Sequence, residues 1–200
     1  MSQNIAFKDK LHIIKDFYFE THKQSLFEDD IVRIENNLKI KIPEALKEFY
    51  LIFGDDLDLL KSMYDIALPK ELYIKDDILI IAKENQNVCG YGINILTIKL
   101  VYYDNNIIEE INQELEDFLI YLLAIQGTEY LNCVATIDIE FSAEIEKHLL
   151  KLTTDEERAV FCDRNSIIAV VAGKNIFICA KDDDCMECFE NKTGLEVDYL

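Results

Sequence analysis

The sequence predicts an α+β fold, and three observations carry that prediction. Apolar residues recur at helical spacing near the N-terminus and again in the middle of the chain. Between and after these segments lie short runs rich in Ile, Val and Tyr. Successive runs are joined by short turns, which favours antiparallel pairing. Six Gly and two Pro in 200 residues leave little material for linkers. One domain is therefore expected over residues 1–200, with a central antiparallel sheet and helices packed around it.

The elements follow in order. A first helix is expected over about residues 5–20. Ser25 followed by Glu28 has capping-box spacing, and Phe27, Ile31, Ile34 and Leu38 then repeat as one helical stripe. The pattern stops at Lys39-Ile40-Lys41. Pro43 suits a helix start, because the first turn does not need its N–H. Leu46, Phe49, Tyr50 and Phe53 form the next stripe, and Gly54 is placed to end it in a left-handed conformation.

Strands are expected at Leu72–Ile74, Ile78–Ala82 and Val88–Leu96, with a further one suggested by the alternation of Leu96, Ile98, Leu100 and Tyr102. Asp104-Asn105-Asn106 reads as a turn. A long helix is expected from Ile108 to Gln126, its stripe marked by Ile108, Ile111, Leu115, Phe118, Leu119, Leu122 and Ile125, and Gly127 is expected to close it. Acids near its start suit the positive end of the helix dipole. Cys133–Glu140 reads as a strand and Ser142–Leu152 as a helix. Ile167–Val171 and Ile176–Ala180 read as a hairpin across Ala172-Gly173-Lys174-Asn175. Asp182–Glu190 reads as a short helix with an acidic start and Gly194 beyond it, and Leu195–Tyr199 as a last strand.

Composition restricts function. The chain carries 39 Asp and Glu against 20 Lys and Arg, a net charge of -19. Such a field repels nucleic acid and anionic membranes and attracts basic partners. Residues 1–100 hold 17 acids and 13 bases, and residues 101–200 hold 22 and 7, which suggests a directed acidic face. The start of the chain has no apolar stretch of signal-peptide type, and the longest apolar run, Phe118–Ile125, is too short to span a bilayer. A cytoplasmic location is expected, with Cys89, Cys133, Cys162, Cys179, Cys185 and Cys188 as reduced thiols.

Signatures of catalysis are missing. There is no Gly-x-Ser-x-Gly elbow and no phosphate-loop or dinucleotide glycine spacing. Gly90-Tyr91-Gly92 reads as close packing within a strand. His12, His22 and His148 show no zinc-protease spacing. Cys185-Met186-Glu187-Cys188 has metal-ligand spacing but lacks a second pair, and the same spacing puts both cysteines on one helix face near Phe189, as core residues. Asp55-Asp56-Leu57-Asp58 lacks the alternation of a calcium loop. No enzyme, cofactor or metal is expected. The expected activity is binding of another protein.

The segment Ile31 to Tyr50 resembles the opening of the SMI1/KNR4 (SUKH) superfamily. A Glu-bearing helix leads through a short link, Leu38, Ile40 and Ile42-Pro43, to a helix with Leu46, the aromatic pair Phe49-Tyr50, and Gly54 beyond. Glu84-Asn85-Gln86-Asn87-Val88-Cys89 resembles the strand entry of bacterial members, and Leu115-Glu116-Asp117-Phe118-Leu119 a later helix. Tyr91 stands about where the family often has Trp. The resemblance implies an immunity protein that binds and neutralises a cognate toxin, with a regulatory scaffold binding a host protein as the alternative and a cysteine-based metal protein as a third. A basic nuclease toxin would meet the acidic chain by steered association. The candidate contact residues are Glu109, Glu110, Glu114, Glu116 and Asp117 of the long helix, then Asp55, Asp56 and Asp58, then Asp182, Asp183 and Asp184.

Overall fold

The computed structural model describes residues 5–19, 28–54, 56–84, 88–104, 107–164 and 166–200, with Leu57 described by its backbone alone. Ser25, Phe27, His22, Asp55 and the stretch Asn85-Gln86-Asn87 lie outside these residues, as do Asn105 and Asn106.

The chain is α+β with antiparallel sheets. In order it forms helices α1 (Phe7–Tyr18), α2 (Glu28–Leu38), α3 (Glu44–Phe53) and α4 (Leu57–Leu60). Strands β1 (Tyr64–Ile66), β2 (Tyr73–Lys75), β3 (Ile78–Glu84), β4 (Cys89–Asn94), β5 (Leu100–Asp104) and β6 (Ile107–Glu110) follow. Then come α5 (Leu115–Tyr130), β7 (Cys133–Asp138), α6 (Ser142–His148), β8 (Leu150–Lys151), β9 (Val160–Cys162), β10 (Ile167–Ala172), β11 (Asn175–Ala180), α7 (Asp183–Thr193) and β12 (Asp198–Tyr199). No helix among the described residues is long and apolar enough to cross a membrane.

The chain divides into two compact units, Lys23–Leu119 and a second made of Met1–His22 with Ile120–Leu200. Each has its own six-stranded sheet, so two sheets stand where one was expected. The charge imbalance along the sequence does not survive this division. The Lys23–Leu119 unit holds 20 acids and 10 bases, net -10, and the other holds 19 and 10, net -9.

The discontinuous unit is built on the order β12-β7-β11-β10-β9-β8. Its hairpin turns tightly, with Ala172 opposite Asn175 and Gly173 at φ 65°. One core combines alternate residues of these strands, including Ala135, Phe161, Ala169 and Ile178, with Ile145 of α6 and Met186 and Phe189 of α7. Tyr18 of α1 donates its hydroxyl hydrogen to the Leu123 carbonyl at 2.8 Å. Gly127 does not close α5; it lies inside the helix, where a Cβ would come within 2.6 Å of Tyr18 Oη and 3.3 Å of Cys179 Sγ. Phe118 through Gln126 are all buried, so this helix is apolar around its circumference and not along one stripe.

The Lys23–Leu119 unit carries the order β1-β3-β4-β5-β6, with β2 also on β3. β1 pairs with the Ala82–Glu84 end of β3 and β2 with its Ile78–Ile80 end, so two short strands share one border. α2 is followed by Lys39, whose φ of 58° turns the chain so that Ile40 N–H reaches the Glu35 carbonyl. α3 starts after Pro43 as expected, but Gly54 is right-handed, φ -60°, and bonds back to the Tyr50 carbonyl as a continuation of the helical turn.

Four further expectations are corrected. The alternation from Leu96 to Tyr102 is not one strand: Leu96 and Ile98 sit exposed in the loop between β4 and β5, with Ile98 at φ 59°. The loop is held by Asn94, whose Oδ1 accepts the Leu96 and Thr97 N–H groups. The Ile108–Gln126 helix is a strand followed by a shifted helix. The α6 helix stops at His148, and the chain continues extended into β8. Cys188 is exposed rather than in the core, and Cys185 is half-buried.

Candidate protein-interaction edge

β5 and β6 pair as antiparallel strands because β5 is rich in Val and Tyr and β6 opens with two β-branched isoleucines. Val101, Tyr102 and Tyr103 oppose Glu110, Glu109 and Ile108. Helical spacing of Ile108, Ile111 and Leu115 is overridden by this pairing, which continues to Ile111, whose N–H bonds the Leu100 carbonyl at 2.9 Å. The helix begins only after Glu114, whose carbonyl accepts the Phe118 N–H at 3.0 Å. Glu116 and Asp117 then lie in its first turn, where the dipole argument does hold.

β6 is the last strand of its sheet. All four of its residues are exposed; Ile107 and Ile108 each keep 55% of their surface accessible. Glu110 pairs with Lys99 at 2.9 Å, while no described residue pairs with the Glu109 carboxylate. Behind β6 the sheet is anchored on both faces. On one face Tyr91, opposite Tyr102, packs on Phe118 with ring centroids 4.8 Å apart. On the other, Ile78, Ile80 and Val101 cluster with Tyr103. Tyr103 lies over Gly90, where a Cβ would stand 2.4 Å from its Oη. That hydroxyl is buried and has no hydrogen-bond partner among the described residues, and burial raises its pKa.

A second feature of this unit adjoins the α2–α3 link. Glu35 is buried, 5% exposed; its Oε1 accepts the Ile42 N–H at 3.0 Å and its Oε2 the Lys41 ammonium at 2.6 Å, with Lys47 at 3.4 Å. The Lys41 hydrogen bond is the main cause that holds its carboxyl below the usual range, against the effect of burial. Beside this cluster, Ile40, Lys41 and Pro43 with Leu79, Ile93, Ile95 and Ile98 line a shallow cavity of about 230 Å³.

The acids expected to bind a partner are thus dispersed. Glu109 and Glu110 stand together on the strand edge, and Glu114 and Glu116 are exposed just beyond it. Asp117 is buried at 4% exposure and is no surface residue. Asp56 is half-buried beside α4, and Asp58 is exposed on it. Asp182 caps α7: its Oδ1 accepts the Cys185 N–H at 2.8 Å, and hydrogen bonds from Cys185 hold its carboxyl below the ordinary value. Asp183 and Asp184 are exposed in that helix's first turn. Among the described residues no group of three or more His, Cys, Asp or Glu is arranged to hold a metal ion. The residues missed from sequence are Ile107 and Ile108. Their signal was a β-branched pair directly after a turn. Comparison with family models, curated proteins and solved structures finds no match to this chain.

Proposed function

We propose that this chain is a binding protein of the SMI1/KNR4 type that neutralises a basic toxin domain by protein contact. The observation that carries the reading is β6, an exposed strand edge combining Ile107 and Ile108 with Glu109 and Glu110. Isolated exposed isoleucines are ordinary, but two adjacent ones on an unpaired edge mark a contact surface. Net charges of -10 and -9 on the two units steer a positively charged partner toward either. The residues that carry the family resemblance support the same reading: Glu35, Ile40, Ile42 and Pro43 form one connected feature, the buried carboxylate with its link. The neutralised toxin would act on nucleic acid in the cytoplasm, where the thiols stay reduced.

The test is co-expression with a candidate toxin encoded by a neighbouring gene, scoring survival. Rescue by this chain, with co-purification of a one-to-one complex, supports the reading. Killing that continues at full expression of this chain overturns it.

A further inference from the structure

We infer that the outer edge of β6 receives an extended lysine- or arginine-rich segment of the partner as an added strand. The inference rests on the reading of the chain as a binder of a basic protein and names how the contact is made. Its first support is the phase of the ladder. Ile111 N–H bonds the Leu100 carbonyl, and the register continues through Tyr102 with Glu109 and Asp104 with Ile107. In an antiparallel pair the residues of such hydrogen-bonded sites alternate with sites that turn their backbone groups away. Ile107 and Glu109 therefore face β5, and Ile108 and Glu110 present N–H and C=O outward, spaced as an incoming strand requires.

The side chains give the second support. Successive residues of a strand point to opposite faces. Each face of β6 therefore offers one isoleucine and one glutamate: Ile108 with Glu110, and Ile107 with Glu109. An antiparallel incoming strand that runs two basic and then two apolar residues sets a basic residue against a glutamate and an apolar one against an isoleucine on both faces. β6 itself carries no lysine and no proline, the residues that commonly block strand addition, and the Lys99 ammonium on Glu110 is exposed and exchangeable for a partner's cation. A second copy of this chain is a poor occupant, since it would bring two more glutamates and another net charge of -19 to the same edge.

The probe is a Thr-Lys-Lys-Val-Val-Thr peptide with blocked ends, titrated into the isotope-labelled full chain and followed by amide exchange and chemical shifts. The expected result is slowed exchange at the Ile108 and Glu110 amides. Methylating alternate peptide nitrogens on the pairing side abolishes the effect. Glu109→Lys with Glu110→Lys weakens binding by about tenfold or more. Ile108→Pro removes an outward N–H that β5 does not use, so the spectrum of the free protein stays folded while protection is lost. Equal binding by the methylated peptide, or protection elsewhere with β6 unchanged, overturns the inference. So does a β6-paired dimer of the free chain. Failure of this inference is separable from failure of the functional reading: variants Ile108→Pro and Glu109→Lys that still rescue co-expressed cells sink the strand-addition mode alone. Peptide protection at β6 without any rescue sinks the toxin reading alone.

Discussion

The Glu35 carboxylate accepts the backbone N–H of Ile42 at 3.0 Å, across the link that joins α2 to α3. This bond connects the end of one helix to the residue before Pro43, which starts the next. With Lys41 at 2.6 Å on the other oxygen, it satisfies a charge that would otherwise be costly to bury. Replacing Glu35 with Ala leaves the Ile42 N–H unpaired and is expected to cost about 1–3 kcal/mol in urea unfolding.

The same carboxylate gives a pH dependence. Its folded pKa lies below the ordinary value of 4.5, so its contribution is fully present above that value and is lost as pH falls through the depressed one. The difference in urea midpoint between the native chain and Glu35→Gln should therefore be constant near neutrality and shrink in acid below 4.5. A difference that grows as the pH falls would contradict the assignment.

Tyr103 and Gly90 form the next test. The Tyr103 hydroxyl is buried without a partner among the described residues, so Tyr103→Phe should stabilise the chain by up to about 1 kcal/mol or leave it unchanged. Gly90→Ala would push a Cβ to 2.5 Å from the Ala82 carbonyl, which belongs to the backbone and cannot swing aside. A loss of about 1–3 kcal/mol is expected in thermal or urea unfolding. If Gly90→Ala were silent, the close approach of Tyr103 to β4 would be wrong.

Ile98 holds a left-handed φ of 59° in the loop after β4, a conformation that a β-branched side chain tolerates poorly. Ile98→Gly removes that strain and should raise the unfolding free energy by about 0.5–1 kcal/mol, after the entropy cost of glycine. A clear loss of stability would instead mean that its side chain contributes more to the adjoining cavity than its 57% exposure implies.

The cysteines give a chemical test. Burial pushes the Cys162 thiol up to about 11 and the Cys179 thiol up to about 12, and Cys133 also rises to about 11. Cys188 is exposed. An aromatic disulfide reagent at neutral pH should label Cys188 first, and Cys162 and Cys179 only on unfolding. Fast labelling that survives Cys188→Ser would place the reactive thiol elsewhere.

Much of the fold is legible in local pattern. Pro43 starts a helix, Gly173 sits in a tight hairpin and Asp182 with Gly194 brackets α7, because each is decided by neighbours in sequence. The errors share a cause. Ile108, Ile111 and Leu115 fit a helical stripe, yet Ile108 pairs with Tyr103 and Ile111 with Leu100, and a partner strand decides between two periods that the residues alone permit. Gly127 looks like a helix stop, but α5 keeps it to admit Tyr18, a contact across more than a hundred residues. The acidic candidates rest on charge counts along the chain. Counting cannot distinguish the buried Asp117 from the exposed Glu116 beside it.

The four residues of β6 leave the interior untouched, since every one of them faces solvent. Substitution there leaves the buried residues of the unit's core in place. Recognition can accordingly drift while the scaffold stays fixed: related chains could exchange Ile-Ile-Glu-Glu for another quartet and acquire a different partner without refolding. The border of β3, shared by β1 and β2, has no such freedom, because each short strand there is already committed to its neighbour.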